Sequence, residues 1–251
     1  YIPAGSFLFG TNKKDMSGEA LSLGLPKPWY VDEGPEQNIF LKAFYIDRYD
    51  VTNHRYKVYI DDLNAAPPRH WENIKFPDRQ GEFPVVNVTW YDAANFCQWA
   101  EKKLPSEKQW EKAARGEAGN EYPWGREFQS DYANLSKKPG SKNPISPVGS
   151  YPRGATPLGV QDLVGNVWEW VRDDYSSYRG STYKSEDFSR KLKVLRGQSA
   201  KGIGHFSGTT YLSALKMFSR SSYRESSYPD RAELDVGFRC ASEKMPKAMK
   251  L

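Results

Sequence analysis

Leu163-Val164-Gly165-Asn166-Val167-Trp168-Glu169-Trp170 is the stretch from which the core of this protein can be read most directly. It places two tryptophans and a leucine around one carboxylate, beside a glycine and an asparagine. Tryptophan buries a large apolar area when its indole N–H finds a partner. One interpretation of these residues is that Leu163, Trp168 and Trp170 fill a core and that Glu169 pairs with an arginine; a second is considered below.

The composition agrees with a core built from large rings. The chain has 251 residues, of which 38% are hydrophobic and 14% aromatic, with 8 Trp and 16 Tyr. A chain of this length can bury a sizeable core without further crosslinks. It contains no internal repeat and no linker-like stretch. We expect a single domain over residues 1–251.

Charge and hydropathy argue against two classes of partner. The net charge is +5, but the 36 Lys and Arg residues are dispersed among 31 Asp and Glu, and no nucleic-acid-binding motif occurs. No apolar run approaches the ~20 residues that cross a bilayer. We expect no nucleic-acid partner and no transmembrane segment.

Helix caps and apolar spacing predict several helices. Thr52 is a predicted N-cap, followed by apolar residues at helical spacing. A second helix covers residues 90–104 and ends before Pro105. The capping box Ser106-Glu107-Lys108-Gln109 begins a third, which ends at Gly116.

The rest of the chain indicates short strands and loops. Residues 1–10 and 39–51 are predicted strand regions, and residues 13–36 a long loop. After Gly116 no further long helix is predicted, because Gly, Pro, Asn and Ser recur. A few helices on an antiparallel, loop-rich core is an α+β pattern.

Eight segments resemble, in order, the motifs of the formylglycine-generating-enzyme (sulfatase-modifying-factor) superfamily. Lys103-Leu104-Pro105-Ser106-Glu107-Lys108-Gln109-Trp110-Glu111 is similar to its Arg-Leu-Pro-Thr-Glu-Ala-Glu-Trp-Glu, and the opening stretch to its Val-Gly-Asn-x-Trp-Glu-Trp. The other segments are residues 2–10, 44–53, 84–93, 122–125, 194–199 and 237–240. The resemblance covers residues 2–242 and implies a C-type-lectin-like α+β fold, rich in loops.

The cysteines depart from the pattern of the enzyme. Its catalytic cysteines follow the motif that Arg196-Gly197-Gln198-Ser199 resembles, but here no cysteine occurs between Ser199 and Arg239. The activity needs thiolates as soft ligands for Cu(I). We therefore expect neither copper nor formylglycine-generating activity.

The resemblance gives the two cysteines a structural role instead. Cys97 and Cys240 are similar to the family's structural disulfide pair, which could contribute about 4–5 kcal/mol in the chain-entropy model. Two buried free thiols are the alternative. A disulfide implies an oxidising compartment, and we expect the periplasm or the outer face of a cell envelope.

A structural calcium site is implied at the opening stretch. In the family this segment holds calcium through two side chains and two backbone carbonyls, which here are Asp162, Gly165, Val167 and Glu169. Calcium prefers six to eight hard oxygen ligands, which such a loop supplies in part. The alternative is that Glu169 pairs with an arginine.

The segment that replaces the catalytic cysteines holds the candidate catalytic residues. Residues 200–218 are longer than the family spacing and contain His205, while Ser199 and Arg220 flank them. The other histidines, His54 and His70, lie on a predicted helix and in a loop. The alternative for Arg220 and Arg224 is a structural ion pair.

Two functions from different classes remain open. The first is a non-catalytic binding or scaffold domain of the cell envelope with a protein partner. The second is an oxidoreductase resembling siderophore-tailoring, pyoverdine-maturation-type members; carbohydrate binding is a further analogy. An enzyme predicts a concave pocket around His205, Ser199 and Arg220, whereas a scaffold predicts that this region is filled or flat.

Overall fold

The α+β prediction is confirmed by a computed structural model that describes residues 1–136, 144–201, 203, 206 and 208–245. The helices in this part are α1 (Glu19–Ser22), α2 (Asn53–Leu63), α3 (Trp90–Trp99), α4 (Glu107–Arg115) and α5 (Gly208–Phe218), with 3-10 turns at Pro152–Gly154 and Glu186–Ser189. The strands are β1 (Gly5–Phe9), β2 (Gln37–Leu41), β3 (Tyr45–Ile46), β4 (Trp168–Asp174), β5 (Lys193–Arg196), β6 (Glu225–Ser227), β7 (Val236–Gly237) and β8 (Ala241–Ser242).

The strands form small sheets in place of one large one. β1 pairs with β2 and β3 with β8, while β6, β5, β4 and β7 form a four-stranded sheet in that order. The expectation of antiparallel pairing fails at one point, because β4 and β7 run parallel. Residues 228–235 carry the chain from the edge strand β6 across the sheet, so β7 enters it in the same direction as β6.

The predicted helix caps are confirmed. Thr52 accepts a hydrogen bond from the Arg55 N–H at the start of α2, and Ser106 and Gln109 form the capping box of α4. The helix predicted over residues 90–104 is too long, because α3 ends at Trp99. Glu101 has φ +56°, a left-handed conformation that a right-handed helix does not continue through.

The expectation of no long helix after Gly116 is wrong. α5 covers Gly208–Phe218 and buries Tyr211, Ala214 and Leu215 against Leu135 and Val164. These three residues lie at helical spacing on one face. Gly202, Gly204 and Ser207 just before the helix, and Gly208 at its start, obscured this short apolar period in the sequence.

The disulfide is confirmed and lies in the largest core cluster. Cys97 on α3 and Cys240, just before β8, are bonded across a separation of 143 residues. Phe96, Trp170 and Phe238 surround the bridge, all fully buried. Such bonds are typical of oxidising compartments. None of the helices in the described part of the chain has the length and apolar character needed to span a bilayer.

Candidate functional site

The carboxylate of the opening stretch, Glu169, is held by an arginine. Its Oε1 accepts from Nη2 of Arg239 at 2.8 Å, and its Oε2 accepts from Arg239 Nε at 2.7 Å and from Trp110 Nε1 at 3.0 Å. Glu169 and Arg239 are both fully buried. This is the arginine pairing that was the alternative to a calcium site.

The other side-chain ligand of the implied calcium site has a backbone partner. Asp162 Oδ2 accepts from the Gly149 N–H at 2.7 Å, and burial raises the pKa of its carboxyl. Nearby, burial and the charge of Glu169 raise the pKa of Asp50 well above its usual range. Calcium requires oxygen ligands, and Asp162 and Glu169 both offer carboxylate oxygens. Both oxygens of Glu169, however, already accept hydrogen bonds from Arg239.

The calcium assignment stays a prediction. Within the described residues, no three His, Cys, Asp or Glu side chains come together in a way that could hold a metal ion. The predicted site differs from such a cluster, because it combines two carboxylates with the carbonyls of Gly165 and Val167.

Arg220 is part of a buried ion pair. Its two terminal nitrogens donate to the two carboxylate oxygens of Glu33, each at 2.6 Å, and its guanidinium lies 4.3 Å from the ring centroid of Tyr30. Arg224 likewise donates from Nε to Glu107 at 2.8 Å. The structural alternative for these two arginines is therefore confirmed.

Ser199 lines a concave cavity of about 470 Å³ on one face of the four-stranded sheet. We name it the Ser199 cavity, and its wall includes Trp168, Leu195, Gln198, Ser199, Glu225 and Asp235. It spans the sheet, since Leu195 and Glu225 are register partners on β5 and β6. Trp168 on β4 and Val236 on β7 are register partners as well, and both line it.

The hydroxyl of Ser199 is bound to a carboxylate. Its Oγ donates to Oδ2 of Asp235 at 2.9 Å, and Lys201 Nζ lies 4.0 Å from the other oxygen of Asp235. A serine nucleophile needs a base that can take its proton, and histidine is the usual one. His205, the third candidate, lies outside the described residues, so only Ser199 is placed at this cavity.

A second cavity of about 230 Å³ adjoins the first. We name it the Trp29 cavity, and its wall includes Lys27, Trp29, Tyr175, Phe218, Tyr223 and Glu225. The two cavities share Asp187, Glu225 and Ser226. We refer to the two adjoining cavities together as the groove, and most of its aromatic rings line the Trp29 cavity.

Sequence reasoning missed most of the groove. Gln198 belongs to a motif, but nothing in the sequence marks its side chain as part of a cavity wall. Trp29 lies in the predicted loop 13–36, and Glu225 follows the arginine pair. Only their spatial convergence identifies them, because more than 160 residues separate Trp29 from Gln198 along the chain.

A family model described as a sulfatase-modifying factor enzyme 1-like domain matches residues 1–244. The inactive C-alpha-formylglycine-generating enzyme 2 of Bos taurus is 30% identical over 291 residues, with 96% of this chain and 86% of that protein covered. The hercynine oxygenase of Mycolicibacterium smegmatis is 29% identical, with 96% and 60% covered. The structure of PvdO from Pseudomonas aeruginosa has a TM-score of 0.69 and 28% identity, with 96% and 92% covered. These matches confirm the fold that the motifs predicted.

Proposed function

This chain belongs to the family of sulfatase-modifying factor enzyme 1-like domains, and from that premise we propose that it is a non-catalytic binding or scaffold domain of the cell envelope. Its ligand, or a segment of a protein partner, occupies the groove formed by the Ser199 and Trp29 cavities. The similarity to a protein that is named inactive supports the proposal.

The chemistry of the Ser199 cavity carries this proposal. Ser199 is bound to Asp235, Arg220 is bound to Glu33, and both cysteines are in the disulfide. The described part of the groove thus offers hydrogen-bonding and charged groups, with neither a thiolate nor a serine–histidine pair. Groups of this kind orient and hold a ligand.

The proposed location rests on the disulfide. An oxidising compartment is where such a bond forms and persists. A periplasmic or envelope-associated domain with a protein partner in the same compartment fits this requirement.

An oxidoreductase of the siderophore-tailoring type is the second candidate. The similarity to a protein named hercynine oxygenase favours it, at 29% identity over 96% of this chain. The open Ser199 cavity is the concave pocket that an enzyme would need. If the chain is such an oxidoreductase, the segment around His205 supplies the reactive group.

Elemental analysis and oxygen uptake together test the proposal. The purified full chain is analysed for calcium, iron and copper before and after dialysis against a weak chelator. An oxygen electrode then records uptake in the presence of ascorbate and added iron or copper, and the same solution without protein is the blank. We expect no stoichiometric iron or copper and no uptake above the buffer. Stoichiometric iron or copper with uptake that His205→Ala abolishes would overturn the proposal in favour of the oxidoreductase.

A further inference from the structure

The outer edge of the small sheet formed by β1 and β2 is self-complementary in charge. We infer that two copies of this chain associate through it, with β2 antiparallel to β2 of the second copy and Ile39 opposite Ile39 at the two-fold axis. Each copy then contributes β1 and β2 to one continuous four-stranded sheet. This homodimer does not depend on the proposed function of the groove.

The outer edge of β2 has no strand partner in the described part of the chain. β1 and β2 form an antiparallel sheet of two strands. On the β1 side, Lys112 of α4 donates to the carbonyl of Gly5 at 2.9 Å and Arg115 donates to that of Leu8 at 3.1 Å. On the other side, no backbone–backbone hydrogen bond among the described residues joins β2 to any segment except β1. Such an edge presents unpaired N–H and C=O groups on which another strand can pair.

The side chains of β2 are those of a strand at the rim of the molecule. Phe40 is 64% exposed, and Leu8, its diagonal neighbour on β1, is 37% exposed. Ile39 and Leu41 point to the opposite face and pack on the core cluster around Phe9, yet both are only half-buried. A second strand can therefore approach β2 and cover apolar surface that one copy leaves in water.

Opposite charges flank β2. Glu36 precedes the strand and Lys42 follows it. Neither forms an ion pair among the described residues. Pairing about Ile39 places Glu36 directly opposite Lys42 of the second copy, and the two-fold axis repeats this pair at the other end. Side chains directly opposite each other have Cβ atoms about 4.5–5.5 Å apart, within reach of an ion pair.

This register also suits the main chain and the exposed ring. Positions opposite one another differ by an even number of residues, so groups that point outwards from one strand meet groups that point outwards from the other. Phe40 lies opposite Asn38 of the second copy, and the two Phe40 rings are diagonal neighbours about 7–8 Å apart, within reach of each other. Moving the axis to Asn38 or to Phe40 would lose both opposite-charge pairs. The charges therefore select Ile39 as the centre and a second copy as the partner.

The mass of the full chain in solution tests the association. Size-exclusion chromatography with light scattering is expected to give the 28.7 kDa monomer at low concentration and to approach twice that mass as the concentration rises. One strand from each copy makes a small interface of the transient class, so we expect a dissociation constant in roughly the micromolar range. Added salt is expected to weaken the dimer, because it screens the exposed charges.

Charge reversals test the register. Glu36→Lys is expected to raise the dissociation constant about tenfold, since two opposite-charge pairs become two like-charge pairs. Lys42→Glu is expected to have the same effect. The double variant Glu36→Lys/Lys42→Glu restores both pairs in reverse and is expected to dimerise within about threefold of wild type. Glu72→Lys, at an exposed carboxylate in a distant loop, is the matched control.

A second set of variants tests the exposed ring. Phe40→Ser is expected to raise the dissociation constant about tenfold, because the apolar contact across the axis is lost. Leu234→Ser changes a residue of matched exposure, 63%, in another part of the chain and is expected to leave the dimer unchanged. Circular dichroism confirms that each variant remains folded.

Three results would each overturn the inference. The first is a chain that stays monomeric at every concentration up to the limit of its solubility. The second is a dimer whose dissociation constant is unchanged in Glu36→Lys and in Phe40→Ser, which would place the interface elsewhere. The third is a double charge variant that dimerises no better than either single one. The oxygen and metal measurements that test the proposed function do not involve this edge, so the two proposals can fail separately.

Discussion

Arg239 binds both oxygens of the Glu169 carboxylate, with its Nε 2.7 Å from Oε2 and its Nη2 2.8 Å from Oε1. Both side chains are fully buried, and each comes from a different sequence motif. Arg239 also donates to the carbonyls of Asp47, Arg48 and Gln161. One guanidinium therefore connects the four-stranded sheet to the loops that precede α2 and β4.

Removing this guanidinium is expected to destabilise the fold strongly. Arg239→Met leaves the Glu169 carboxylate buried without its charged partner, which costs about 3–5 kcal/mol. Urea unfolding followed by tryptophan fluorescence measures the change. The double variant Arg239→Met/Glu169→Leu is expected to recover part of the loss, because it removes the buried Glu169 charge; the recovery is incomplete because Asp50 also loses its contact with Arg239. A single variant that loses less than about 1 kcal/mol would contradict a structural role for the pair.

Calcium binding at the opening stretch is a separate prediction. Calcium at about 100 times its dissociation constant is expected to raise the free energy of unfolding by about 2.7 kcal/mol. Asp162→Ala is expected to abolish that increase, and Asp61→Ala, at an exposed carboxylate, is the control. Thermal unfolding with calcium and with a chelator measures both. Identical curves in wild type would contradict calcium binding at this segment.

The disulfide is expected to contribute several kcal/mol. It closes a loop across 143 residues, which corresponds to about 5 kcal/mol in the chain-entropy model. The double variant Cys97→Ala/Cys240→Ala is expected to unfold at lower urea concentration by a corresponding amount. Wild type measured with a reductant should approach the variant. A variant as stable as the oxidised wild type would assign the stability of this region to packing alone.

The Lys27–Asp32 pair predicts a specific acid dependence. Burial raises the pKa of the Asp32 carboxyl, but the charges of Lys27 and Arg224 outweigh it and bring the pKa below its usual value of 3.8. The folded state therefore binds fewer protons than the unfolded state near that pH. The stabilisation is present above about pH 4 and is lost as the pH falls through the folded-state pKa.

Asp32→Asn tests this dependence. Melting temperatures between pH 6 and pH 2.5 are expected to fall less steeply for Asp32→Asn than for wild type. At pH 7 the variant should be less stable by about 3 kcal/mol, because Lys27 stays buried and unpaired. Asp61→Asn, exposed and paired with Lys57 on α2, is expected to keep the wild-type slope. Parallel slopes for Asp32→Asn and wild type would contradict the lowered pKa.

Local signals in the sequence predicted the parts of the fold that local chemistry controls. The caps at Thr52 and Ser106 satisfy the free N–H groups of a helix within a few residues, so they are visible in one short window. Helix α5 was missed because glycines precede its short apolar period. The early end of α3 was missed because Glu101 has a left-handed backbone conformation. A glycine at this position would have indicated that conformation in the sequence, but a glutamate does not.

The sequence by itself determined the family fold and the absence of the catalytic cysteines, because ordered motifs and residue identities are properties of the chain alone. The structure decided between a disulfide and two free thiols for Cys97 and Cys240. Only the tertiary structure decided that Arg239 is the arginine that holds Glu169 and that Arg220 is bound to Glu33. It alone also brought Gln198, Glu225 and Trp29 to one groove. Long-range ion pairs and cavity walls depend on which distant segments pack together. The free energy of that packing comes from contacts throughout the core, so no single segment of the sequence determines it.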